Sequence, residues 1–163
     1  MYVYVAVTTT YGSVSRTVDN LSHVPPHPTL SSVTLNFPTT HADIIKVFKE
    51  HVQANPAKPN KKRVAVIDSI VSNPGVTLPW KEMVAICKDE GIWSVIDAAH
   101  SIGQEVGINL TKSVPDFWVS VRWLNDDRTL VSIFFIGNRT ATNGFQPNDP
   151  VALSIYPNGR FDP

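Results

Sequence analysis

Two nearly continuous apolar runs, Val64–Ile67 and Ile92–Ile96, are each closed by a carboxylate, Asp68 and Asp97. Between them lies a helix-length segment, Pro79 to Glu90, with proline in its first turn and Gly91 just past its end. Strands buried on both faces read as unbroken apolar runs, and strands joined by single helices form parallel βαβ units. This spacing therefore predicts an α/β chain with a parallel sheet. Ligands of such sheets bind at the carboxyl ends of the strands. Asp68, Asp97 and Ser120 are expected at that edge.

The rest of the chain is consistent with that layout. Residues 2–7 are rich in β-branched and aromatic side chains and predict a strand. Val14, Val18 and Leu21 suggest a helix from Gly12 to about His23. Three prolines between Val24 and Pro28 require a loop, and Ser31 to Phe37 reads as a strand. His41 to Ala54 is the clearest amphipathic helix, with Ile44, Ile45, Phe48 and Val52 in one stripe. Trp80, Met83, Val84 and Cys87 form the apolar side of the later helix, and Asp116 to Ser120 is a further strand. Beyond Ser120 the chain is rich in Asn, Asp, Thr and Pro, with one strand-like burst at Leu130 to Ile136.

Composition excludes several classes of function. Lys plus Arg and Asp plus Glu number 14 each, so net charge gives no reason to expect nucleic acid or an anionic membrane as partner. No apolar run approaches the ~20 residues needed to span a bilayer. Cys87 is the single cysteine, which rules out an intrachain disulfide or a thiolate metal cluster, and the histidines show no metal-ligand spacing. A cytoplasmic location is the default expectation. The residues after Met1 already read as a buried strand, so the chain is expected to be part of a larger domain.

Asp97 closes an apolar strand, where an unpaired charge is costly; a cationic or hydrogen-bonding partner is expected beside it. A protonated pyridine nitrogen would serve. So would the backbone N–H groups of a helix starting near Ser101. His100, three residues on, can be read as a ligand or as a structural histidine. Tyr11 could stack on a planar ligand or pack at the domain edge.

Taken together, these residues resemble the class V, fold-type I pyridoxal-phosphate enzymes, in particular the isopenicillin-N-epimerase-like branch that includes the fungal hercynylcysteine sulfoxide lyase type. The resemblance rests on Val64 to Glu82, on Ser94 to Gln104 with its Asp-Ala-Ala-His core, on Pro115 to Ser120, and on Thr9-Thr10-Tyr11-Gly12. It covers residues 1–120 and implies a partial parallel-sheet large domain with helices packed on the sheet, followed by a divergent, irregular tail at 121–163. It implies pyridoxal 5'-phosphate as cofactor: Asp97 pairing with the ring nitrogen, His100 bonding the phenolic oxygen, Tyr11 stacking on the ring. It also implies an amino-acid-type substrate and a possible homodimer, with C–S lysis, desulfuration and epimerisation all open.

The family continues after the second strand with a lysine that forms the Schiff base, whereas this chain reads Val121-Arg122-Trp123-Leu124 and has no lysine after Lys112. Arginine stays protonated and offers no nucleophilic amine. No catalytic residue is therefore assigned. The expectation is a truncated, catalytically inactive portion of such an enzyme, lacking the phosphate-cradling loop and the small domain. The alternatives are a non-catalytic interaction protein that docks on a full-length relative, and a generic nucleotide binder without a glycine fingerprint.

Overall fold

The computed structural model describes residues 2–123 and 130–136. In chain order the elements are β1 (Tyr2–Val7), α1 (Gly12–Ser22), β2 (Thr29–Val33), α2 (His41–Ala54), β3 (Lys62–Asp68), α3 (Trp80–Asp89), β4 (Trp93–Asp97), α4 (Leu110–Ser113), β5 (Phe117–Trp123) and β6 (Leu130–Ile136). The strands form one sheet in the order β2-β1-β3-β4-β5-β6. The first five are mutually parallel, and β6 runs antiparallel to β5. This is the expected α/β architecture.

Strand order dictates where the helices lie. The β1–α1–β2 crossover moves one way along the sheet, while β2–α2–β3 and β3–α3–β4 move the other way. Parallel crossovers are right-handed, so α1 belongs on the face opposite α2 and α3. The core agrees: its main cluster takes Ile44, Phe48 and Val52 from α2 and Trp80, Met83, Val84 and Cys87 from α3, and nothing from α1. These pack on Val5, Val7, Val33, Ala65, Ile67, Ile96 and Trp118 of the sheet. Strand side chains alternate between faces. Tyr4, Val64, Trp93, Val95, Phe117 and Val119 accordingly line an apolar groove of about 450 Å³ on the other face.

Local chemistry sets the element ends. Thr40 caps α2, its Oγ1 accepting from the Asp43 N–H at 3.1 Å. Gly91, at φ +66°, turns the chain out of α3. Arg63 is buried and donates to the carbonyls of Val52 at 2.9 Å and Asn55 at 3.0 Å, and also to that of Glu90. One guanidinium thus satisfies carbonyls left over at the ends of both α2 and α3.

Three expectations change. β2 spans Thr29–Val33 rather than 31–37, because Leu35 turns its N–H to the Thr8 hydroxyl at 3.0 Å instead of extending the ladder. The helix expected near Ser101 is absent: residues 99–106 form turns and bends, broken where Gly103 and Gly107 take φ of +83° and +69°. β5 continues through Trp123, three residues beyond the boundary expected at Ser120, and pairs along its whole length with β6. Of the 121–163 tail, residues 124–129 and 137–163 lie outside the described residues.

Candidate functional site

The sheet reverses its direction of winding between β1 and β3, since β1 leads away to β2 and β3 leads on to β4. The crevice outside the carboxyl ends of the strands at such a switch point is where open α/β sheets bind ligands. Here that position is formed by the β1–α1 turn, residues 8–11, and by Asp68 at the end of β3. Asp97 ends the next strand, in register with Asp68.

Several contacts hold this edge in place. The Ser69 N–H donates to the Asp97 carbonyl at 2.8 Å, and its hydroxyl reaches the same oxygen at 3.2 Å. The hydroxyls of Ser69 and Ser101, both fully buried, meet at 2.5 Å. On the far side the Ala98 N–H donates to the Val119 carbonyl at 2.6 Å, and the buried Ser120 hydroxyl donates to the Ala98 carbonyl at 2.9 Å. The Trp80 indole N–H donates to both Glu105 oxygens, at 3.0 and 3.1 Å, tying the turn after β4 to the start of α3.

Within this frame Asp97 is half-buried, and its Oδ1 accepts from the Ala99 N–H at 3.1 Å. The carboxylate therefore caps a turn rather than a helix. Its second oxygen takes no hydrogen bond among the described residues. His100 and Tyr11 are both exposed, on the turn after β4 and at the cap of α1. The structure thus brings Tyr11, Asp97 and His100 to one edge of the sheet, with β3 between the strand that leads to Tyr11 and the strand that carries the other two.

Asp68 is the residue that sequence reasoning passed over as a ligand. It is only 4% exposed, and its Oδ2 has no close hydrogen-bond partner among the described residues; nor does the buried hydroxyl of Thr9. Burial, reinforced by the charge on Asp97, pushes the Asp68 carboxyl up to about 7, while the Thr10 hydroxyl and the backbone at residues 68 and 11 limit the rise. The signal for Asp68 was present, since it closes its apolar run as Asp97 does. What could not be read was that β1 would pack against that same strand.

Orphaned buried polar atoms are rare in folded proteins and call for a partner. Asp68 Oδ2 and the Thr9 hydroxyl, with the free oxygen of the half-buried Asp97 nearby, fit a small polar ligand with a cationic or N–H edge. Among the described residues no group of three His, Cys, Asp or Glu side chains is placed to hold a metal ion.

No family model matches this chain. It is 35% identical over 124 residues to an L-cysteine desulfhydrase-like protein of Epichloe uncinata, a match covering 75% of this chain and 27% of that protein. It is 38% identical over 68 residues to the hercynylcysteine sulfoxide lyase of Schizosaccharomyces pombe, covering 40% of this chain and 17% of that one. The chain thus spans about a quarter or less of these two relatives. In fold it matches the cystine C–S lyase C-DES, solved with its product cysteine persulfide, at a TM-score of 0.67 and 14% identity, over 82% of this chain and 34% of the lyase. Another structure of C-DES carries glycine covalently linked to its PLP cofactor.

Proposed function

We infer that this chain, a homologue of L-cysteine desulfhydrase-like proteins and of hercynylcysteine sulfoxide lyase, is the cofactor-ring portion of a class V, pyridoxal-phosphate-dependent C–S lyase. The observation that carries this reading is the half-buried Asp97 carboxylate with one open oxygen, at the carboxyl edge of a parallel sheet, flanked by orphaned polar atoms.

The cofactor, when bound, supplies an electron sink for chemistry at an amino acid's α-carbon. The part played by this chain is to hold and orient the ring. Asp97 would accept the ring N–H through its open oxygen, its bond to the Ala99 N–H fixing the other one. His100 would donate to the phenolic oxygen from the turn after β4. Tyr11 would stack on the ring, an aromatic pair contributing about 0.5–1.5 kcal/mol beyond its area burial.

Arg122 and Trp123 follow Ser120 along β5, and no lysine comes after Lys112. The chain therefore offers no amine there to link the cofactor, and we assign it ring binding without catalysis of its own. The test is binding of pyridoxamine 5'-phosphate to the full chain, followed by fluorescence, with borohydride treatment of a pyridoxal 5'-phosphate sample in parallel. Saturable binding with no cofactor mass fixed on one specific lysine is expected. Absence of binding, or a single reduced lysine adduct, would overturn the assignment.

A further inference from the structure

We propose that Asp68 is a positioning residue for Asp97, the two carboxyl groups sharing one negative charge between the tips of β3 and β4 so that the site takes a single monocationic nitrogen. The inference rests on the ring-binding reading above and deepens it by adding a second acid to the seat.

The geometry carries it. Asp68 and Asp97 are register partners on adjacent parallel strands, which stand ~4.8 Å apart, and partnered side chains point to the same face. The Ser69 bonds to the Asp97 carbonyl keep the two tips from sliding or separating. Asp68 is more than nine-tenths buried with Oδ2 unpartnered, so a full charge on it is only partly compensated and costly. Two carboxylates at neighbouring strand tips on one face repel each other when both are charged, which favours a proton on the more buried Asp68. The raised proton affinity of Asp68 agrees with this. The other titratable groups on the neighbouring elements are Tyr11 from the turn after β1, Arg16, Asp19 and His23 on or at the end of α1, and His100 from the turn after β4, all exposed, together with Glu105 on that turn, which is held by the Trp80 indole and by Lys81 at 3.1 Å.

A shared charge has a consequence that a lone Asp97 does not. Removing either carboxylate leaves the other free to take the whole charge, so each single change is partly compensated and the double change is not. The pair therefore behaves non-additively toward a cationic ring nitrogen.

The experiment uses the full chain and its Asp68→Asn, Asp97→Asn and double variants, with pyridoxamine 5'-phosphate as the probe. In parallel, the side-chain carboxyls of the ligand-free proteins are titrated by carbon-13 NMR. Each single change is expected to weaken binding by no more than about tenfold, and the double change by at least about tenfold beyond the product of the two singles. In the ligand-free chain, Asp97→Asn should move the Asp68 titration midpoint down by about one pH unit or more. Additive losses, or an Asp68 midpoint indifferent to Asp97, would overturn the shared charge. Should the unsubstituted chain bind no probe at all, the ring-binding reading falls, and the carboxyl titration then decides the pair by itself.

Discussion

Asp68 and Asp97 sit side by side at the carboxyl ends of β3 and β4, and the charge of the second raises the proton affinity of the first. The two acids differ in surroundings, one buried and unpartnered, the other half-exposed and bonded to the Ala99 N–H. That difference in burial is the main reason Asp68 holds its proton more tightly than an ordinary carboxyl, with the Asp97 charge adding to it.

Stability of the ligand-free chain should fall as pH rises from about 4 to about 7. An acid whose folded proton affinity exceeds its unfolded one stabilises the fold fully below the unfolded midpoint, and that contribution is lost as pH climbs through the folded midpoint. For Asp68 those midpoints are 3.8 and about 7. At ~1.4 kcal/mol per pH unit the loss is on the order of 4 kcal/mol as an upper value. Denaturant melts across this range should show the decline, and Asp68→Asn should flatten it. A wild-type profile that rises over the same interval would refute the assignment.

Arg63→Met should destabilise the chain by roughly 2–4 kcal/mol, because the carbonyls of Val52, Asn55 and Glu90 lose their common donor while still shielded from water. Urea denaturation measures this. A change below about 0.5 kcal/mol would mean that water replaces the guanidinium without cost.

Phe48→Ala should cost roughly 3–5 kcal/mol, since Phe48 is fully buried at the centre of the cluster between α2 and the sheet. The same change at Val47, which is 38% exposed on that helix, should cost under about 1 kcal/mol. Paired denaturant melts check the contrast, and equal losses would contradict the burial of one face of α2.

Tyr11→Ala should weaken pyridoxamine 5'-phosphate binding about tenfold with little change in melting temperature, because the ring is 55% exposed and packs little in the free chain. Fluorescence titration together with a thermal melt separates the two effects. Loss of stability without loss of affinity would make Tyr11 a packing residue.

Much of this was legible in the sequence because it depends on local pattern. Trp80, Met83, Val84 and Cys87 recur at helical spacing, and all four are buried. Asp97 could be placed at a strand tip because the apolar run before it ends there. Local pattern failed where a distant partner competed. Leu35 looks strand-like but gives its N–H to Thr8, 27 residues earlier, and Ser101 looks like a helix start until Gly103 and Gly107 take left-handed backbone.

The amino-acid order alone determined most of the strand and helix segments and the acids that close β3 and β4, since these follow from side chains within a few residues of one another. Only the tertiary structure decided that β1 inserts between β2 and β3. Strand order is set by hydrogen-bonded pairing between segments far apart in the chain, and that pairing brings the Thr9 and Thr10 hydroxyls and Tyr11 to the strand tip that carries Asp68.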